Sequence, residues 1–287
     1  MKIKFVILVA VLFLWQSIIY AQEGTGITVR ALPYEDLHAR NDKPVPYQYV
    51  READVMWAKI LWQRIELSEK ENHILALPRE PVGNRMSLID VLLKGIHTES
   101  LTAYKASPDD AGHEFDNIMT ENDVREQMGA TTKTQIVETL EGYDTITVEE
   151  NYNSADIVAY MVKEMWFFDK QRSVMDFRII GLCPIRKYYR EDDVDQTNPL
   201  YKKVFWVYYP EVRPKLAKSP VYWPYTDVTN ITYDDIFQKR LFSSYIYMES
   251  NPYRRAILEY KKGLDVLVEA ERIKQEMFNF EQDLWSY

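Results

Sequence analysis

Chemistry in this sequence would have to start from one thiol, four imidazoles or a few grouped carboxylates. Cys183 follows Gly181 and Leu182 at the end of an apolar run, where a thiol packs as a small hydrophobe rather than as an activated nucleophile. His38, His73, His97 and His113 stand singly among polar neighbours, without the second ligand at helical or turn spacing that a metal site needs. The acidic run Glu191, Asp192, Asp193 and Asp195 lacks the alternating oxygen ligands and the turn glycine of a calcium loop, and reads as a solvated loop. Glu164, Asp169 and Asp176 would serve a hydrolase only if two of them converged in a cleft. No Walker-type glycine loop, G-x-S-x-G elbow or H-E-x-x-H helix occurs, and only 9 glycines are present to cradle a phosphate. The expectation is a protein that is not an enzyme and uses no cofactor or metal.

Recognition is better supplied than catalysis. Between Asp169 and Arg190, six cations (Lys170, Arg172, Arg178, Arg186, Lys187 and Arg190) punctuate an aromatic and aliphatic run that holds only two carboxylates, Asp169 and Asp176. Arginine forks grip carboxylates in pairs, so this segment either meets an acidic neighbour or closes internal bridges such as Asp169 with Arg172. The chain has 21 Tyr and 7 Trp, side chains suited to surfaces that are buried against a partner while one edge stays hydrogen-bonded. Trp206, Tyr208, Tyr209, Tyr222, Trp223 and Tyr225 also form a possible stacking platform, which makes a periplasmic carbohydrate- or solute-binding protein the alternative function.

The elements that would position these groups give an α+β pattern. Val55, Ile60 and Leu61, flanked by Trp57 and Trp62, suggest a first helix over 52–67. Ser87 can cap a second helix through SLIDVLLKGI, and a third follows Thr120 and ends at Gly129. A strand is expected over 144–150, and Ser154 can cap a helix from Ala155 to Trp166 carrying Ile157, Tyr160, Met161 and Met165. The runs 173–182 and 204–209 read as strands buried on both faces at the centre of a sheet, followed by a helix over 233–241 and a strand over 243–249. Asn251-Pro252 is a helix-start signal. After it Val266, Ala270, Ile273, Met277, Phe280 and Leu284 recur at spacings of 4, 3, 4, 3 and 4, a heptad seam that lies either on the chain's own domain or in a partner's groove. Lys59 with Trp62, Lys163 with Trp166 and Lys239 with Phe242 suggest a diverged repeat at helix-to-strand junctions, or chance.

The first residues read as an export signal. Lys2 and Lys4 precede an apolar run from Phe5 to Trp15, and Tyr20-Ala21 offers a small residue for cleavage between Ala21 and Gln22. Cleavage would leave 33 basic against 44 acidic residues, a charge of −11, which disfavours nucleic acid. A single cysteine allows no intramolecular disulfide, and none lies near the cleavage point to accept lipid. The expected organisation is a signal peptide over 1–21, an extended N-terminal arm over 22–50 punctuated by Pro33, Pro44 and Pro46, an α+β core over 51–251 with a central mixed sheet and flanking helices, and a long C-terminal helix over 252–287. The arm either holds a neighbour or is a loose tail.

Blocks along the chain resemble a known family. WFFDKQRSVMDFRIIGL (Trp166 to Leu182) is similar to the signature of the GldN/PorN proteins of gliding motility and type IX secretion. MWAKILWQRIEL, FWVYYPEVRP, DDIFQKRLFSSYIYMESNPYRR and GLDVLVEAERIKQEMFNFEQDLW are similar to further blocks of that family in the same order, whereas 106–150 carries little resemblance. The resemblance implies a non-catalytic subunit of a periplasmic ring that binds an outer-membrane lipoprotein, PorK/GldK, the motor protein PorM/GldM and further copies of itself. The lipoprotein would attach it to the outer membrane. The contacts expected for these partners fall on Tyr34, Leu37 and Tyr47 of the arm, on Lys170, Arg172 and Arg178, and on Val266, Ala270, Ile273, Met277, Phe280, Leu284 and Trp285. The family belongs to the Bacteroidetes, and Asp144-Thr145-Ile146 resembles the O-glycosylation motif of that group.

Overall fold

The computed structural model describes residues 43–82, 85–107, 112–139, 142–150, 153–190, 193, 195, 197–221 and 231–285. The expected signal peptide with Ala21 and Gln22, and Tyr34 and Leu37 of the expected arm, lie outside the described residues. In chain order the strands are β1 (Val55–Glu66), β2 (Ala103–Lys105), β3 (Ile118–Met119), β4 (Thr131–Thr139), β5 (Gly142–Glu150), β6 (Ile157–Asp169), β7 (Val174–Tyr188), β8 (Leu200–Lys203), β9 (Phe205–Tyr208) and β10 (Tyr245–Glu249). The helices are α1 (His73–Ala76), α2 (Leu88–His97), α3 (Glu121–Gln127), α4 (Tyr209–Leu216), α5 (Tyr233–Gln238), α6 (Ile257–Tyr260) and α7 (Leu264–Trp285).

Among the described residues, eight strands form one sheet in the order β10-β1-β6-β7-β9-β2-β3, with β8 pairing on β7. β4 and β5 make a separate two-stranded ribbon in register from Thr131 opposite Glu150 to Thr139 opposite Gly142. The α+β architecture with flanking helices and a long C-terminal helix is the expected one, but the pairings in the large sheet are antiparallel rather than mixed. The reason is local: β6 and β7 are joined by a tight turn, and a parallel pair would need a long crossover.

Two expected helices are strands. The run 52–67 is β1 and the run 155–166 is the body of β6; the two pair from Val55 opposite Asp169 to Glu66 opposite Ala159. β6 is buried at Ile157 and at every residue from Ala159 to Glu164. A strand covered on both faces loses the in-out alternation, so a helical spacing can be picked out of it by chance, while its Ile, Val, Tyr, Trp and Phe content favours the pleated surface. Ser154 opens only a short 3-10 turn, Ser154–Asp156, whose N-cap is Asn153, accepting from the Ala155 amide. The lysine–aromatic repeat goes with these helices. Lys59 and Trp62 lie within β1 and face Trp166 and Lys163 within β6, whereas Lys239 caps α5.

The other start signals act as read. Ser87 accepts from the Asp90 amide at the head of α2. Thr120 with Asp123 forms a capping box on α3, and Thr232 with Asp235 forms one on α5 that the sequence reading did not single out. Gly129 follows α3 at φ +92°, and a Cβ there would lie 2.1 Å from the Arg186 guanidinium, so both backbone and space require glycine. Asn251-Pro252 does not start a helix. The Asn251 carboxamide accepts from the Tyr253 and Arg255 amides and builds a turn, and the long helix begins only at Leu264, after Gly263 at φ +61°.

On one face of the sheet Ile65, Tyr160, Val162, Ile179, Leu182 and Val207 pack against α2, α4 and α5 through Leu88, Leu92, Val212, Leu216, Ile236 and Phe237. Farther along the same face, Leu61 and Ile246 meet α7 through Val266, Ala270 and Ile273. The opposite face buries Trp62, Ala159, Met161, Cys183, Ile185, Trp206 and Met248, with Phe115 and Tyr104 packed against them. Among the described residues no helix is long and apolar enough to cross a membrane.

Candidate functional site

The described end of the arm is clasped by the chain's own core. The Tyr47 ring lies between two guanidinium groups, with the Arg178 Cζ 4.2 Å and the Arg213 Cζ 4.1 Å from its centroid. Arg213 Nη2 donates to the Val45 carbonyl at 2.7 Å, Arg178 Nη2 to the Gln48 carbonyl at 3.0 Å, and Gln238 Nε2 to the Tyr47 hydroxyl at 2.9 Å. Burial raises the Tyr47 phenol above its usual range. Behind it, Arg213 of α4 and the Tyr209 hydroxyl both donate to Asp234 at 3.0 Å. Burial lowers the Arg213 guanidinium, and the hydrogen bond and charge of Asp234 more than reverse this, leaving it raised.

The cation-rich segment is likewise bridged within the chain. Asp169 at the end of β6 accepts from the Gln171 amide at 2.8 Å and from Arg172 Nε at 2.7 Å, and the Arg172 bond holds its carboxyl below the usual range. Arg172 also reaches Asp176 at 2.9 Å, and Arg178 reaches Asp176 at 3.4 Å. Arg186 lies 3.5 Å from Asp156. Lys170 is exposed on the turn and its amide donates to the Asp54 carbonyl.

Two charged knots escaped the sequence reading. Glu164 is fully buried, and its carboxylate accepts from Arg240 Nη1 at 2.8 Å, Gln63 Nε2 at 2.9 Å and Trp166 Nε1 at 2.9 Å. The Arg240 guanidinium stacks among the rings of Trp166, Phe177 and Phe242. On the other face, Lys163 Nζ donates to Glu114 at 2.6 Å, Trp62 Nε1 donates to the same carboxylate at 2.8 Å, and both Lys163 and Glu114 are buried. The signal was the pair Lys163-Glu164 interrupting an apolar run, since ionised side chains enter a core only when paired. Glu164 and Asp169 sit at odd spacing on one strand and point to opposite faces; of the three carboxylates considered for hydrolysis only Asp169 and Asp176 come together, and Arg172 bridges them both. Trp206 and Tyr209 are fully buried, which removes them from the stacking platform; Tyr208 is exposed, and Tyr222, Trp223 and Tyr225 lie outside the described residues. Among the described residues no group of three His, Cys, Asp or Glu side chains could hold a metal.

The α7 seam packs on the chain's own sheet. Val266, Ala270 and Ile273 are buried, Met277 is partly so, and Phe280 lies 5.2 Å from the Trp57 ring and 6.5 Å from the Phe168 ring. Leu284 is half-buried and Trp285 ends the helix. The sheet, the knots and the C-terminal helix thus make one continuous unit, and the family model described as "Gliding motility associated protein GldN" matches it from residue 50 to residue 286. The chain belongs to the GldN family. It is a component of the gliding-motility and type IX secretion machinery, in a family of structural components rather than of known enzymes. No curated protein matches the chain. The GldN match takes in Lys170, Arg172, Arg178 and the whole α7 seam, and begins after Tyr34, Leu37 and Tyr47.

Proposed function

We propose that this GldN-family chain is a structural subunit of a periplasmic ring in the type IX secretion and gliding machinery. It binds the outer-membrane lipoprotein PorK/GldK, the motor protein PorM/GldM and further copies of itself. The observation that carries this reading is the family match across residues 50–286, because it takes in every element of the large sheet and all of α7. The internal pairing of Glu164, Lys163, Asp234 and Asp169 supports it, since groups with saturated partners hold a shape and are not poised to react. Export through cleavage between Ala21 and Gln22 would deliver the chain to the periplasm, and the lipoprotein would attach it to the outer membrane.

Co-expression with the lipoprotein, followed by size-exclusion chromatography and negative-stain microscopy, tests the proposal. Co-elution as a large ring-shaped species is expected. Elution of the two chains as separate small species would sink it.

A further inference from the structure

The helix α7 has three faces, of which two are accounted for. Val266, Ala270 and Ile273 lie on the sheet. On another face Arg272 bridges Glu269 and Glu276, a solvated charge ladder. The third face carries Leu264, Leu267, Glu271, Lys274, Phe278 and Glu281 at spacings of 3, 4, 3, 4 and 3, a second seam roughly 100° around the helix from the first. Leu264 is 79% exposed, Leu267 51% and Phe278 54%, and Val268 beside them is 66% exposed. Five of the six strip residues form one wall of a groove of about 560 Å³, with Trp166, Phe242 and Tyr245 opposite.

We propose that this strip docks on the same strip of a second copy of the chain, antiparallel, about a two-fold axis midway between Glu271 and Lys274. That axis sets Leu267 against Phe278 and Glu271 against Lys274 of the other copy, and symmetry makes each contact twice. Leu264 lies over the aliphatic stem of Glu281. A parallel pair in register would instead set Glu271 on Glu271 and Lys274 on Lys274, so the charges select the antiparallel arrangement. A foreign helix would place no such condition on this sequence; self-complementarity is what an isologous contact requires. Within one chain Glu271 and Lys274 are only loosely paired at 3.9 Å, with side chains 60% and 72% exposed, and so are free to exchange partners. The flanking Gln275 and Gln282 add no charge to oppose the approach. Exposed ion pairs contribute little affinity by themselves; Leu267 and Phe278 provide the apolar contact and the charges fix register and orientation.

The inference does not rest on the ring reading, because it concerns the purified chain alone. Sedimentation equilibrium over micromolar concentrations is expected to show a monomer–dimer equilibrium. Glu271→Lys and Lys274→Glu each set like charges face to face and raise the dimer dissociation constant roughly tenfold or more, with unchanged circular-dichroism melts because both sites are exposed. An equimolar mixture of the two variants opposes a strip with lysine at both 271 and 274 to one with glutamate at both and restores the dimer, as does the double variant E271K/K274E within one chain. A monomeric parent chain over that range, single variants that dimerise as tightly as the parent, or a mixture that fails to restore pairing would each overturn the proposal.

Discussion

Lys163 and Glu164 are neighbours on one strand, carry opposite charges and serve opposite faces of the sheet. Lys163 has one anionic partner, Glu114, delivered by the loop before Phe115, and its ammonium lies 5.2 Å from the Trp62 ring centroid and 5.9 Å from that of Phe115. Glu164 spreads its charge over donors from β1, β6 and the segment after α5. The Arg240 side chain that neutralises it is 25% exposed, whereas the Lys163 and Glu114 side chains are 8% and 1% exposed. A charge with a single buried partner is held by an interaction with no substitute; a charge shared among several donors at the rim of a groove can lose one and take water in its place.

That contrast is sharpest if each knot loses its cation. Lys163→Met leaves the Glu114 carboxylate buried with only the Trp62 and Gly112 N–H groups, and is expected to cost about 3–5 kcal/mol, lowering the melting temperature by roughly 10 °C. The double variant K163M/E114Q should recover more than half of that loss, because no charge remains in the core and the amide oxygen still accepts from Trp62. Losses in thermal melts that simply add would show that the two side chains are not coupled. Arg240→Ala should cost less, about 2 kcal/mol, since Gln63 and Trp166 still donate to Glu164 and the groove admits water. Urea midpoints for the two variants falling in the reverse order would break the comparison.

The smallest effect belongs to the β6–β7 turn, where Asp169, buried at the end of β6, is held below its usual range by Arg172. A carboxylate with a depressed folded value stabilises above its unfolded value, about 3.9, and loses that contribution as pH falls through the folded value. Asp169→Asn should therefore lower the melting temperature slightly at pH 7 and flatten its decline below about pH 4. Melts across that range with an unchanged acid limb would show that the turn does not contribute.

The sequence made some of this architecture legible and hid the rest for identifiable reasons. Capped helices could be read because Ser87 and Thr120 sit next to the amides they satisfy. The α7 seam could be read because a helix on one sheet face keeps its period. β1 and β6 could not, because cover on both faces erases the two-residue alternation that marks a strand. Asn251-Pro252 misled because an asparagine side chain caps turns as readily as helices. At the site, Tyr47 and Arg178 were both singled out, but not as partners. They are far apart in the chain, and nothing local records that the β6–β7 hairpin brings an arginine over the arm.

The register of β1 also bears on how the molecule reaches its native state. Its neighbours in the sheet are β6, which begins with Ile157, and β10, which begins with Tyr245. The first strand made therefore waits for most of the chain before either edge is satisfied, a high-contact-order arrangement that slows folding and leaves a sticky intermediate. A polypeptide stopped short of Tyr245 would carry Leu61 and Trp62 beside an open strand edge, and holding the chain unfolded until its last strand is available would keep that edge from templating aggregation.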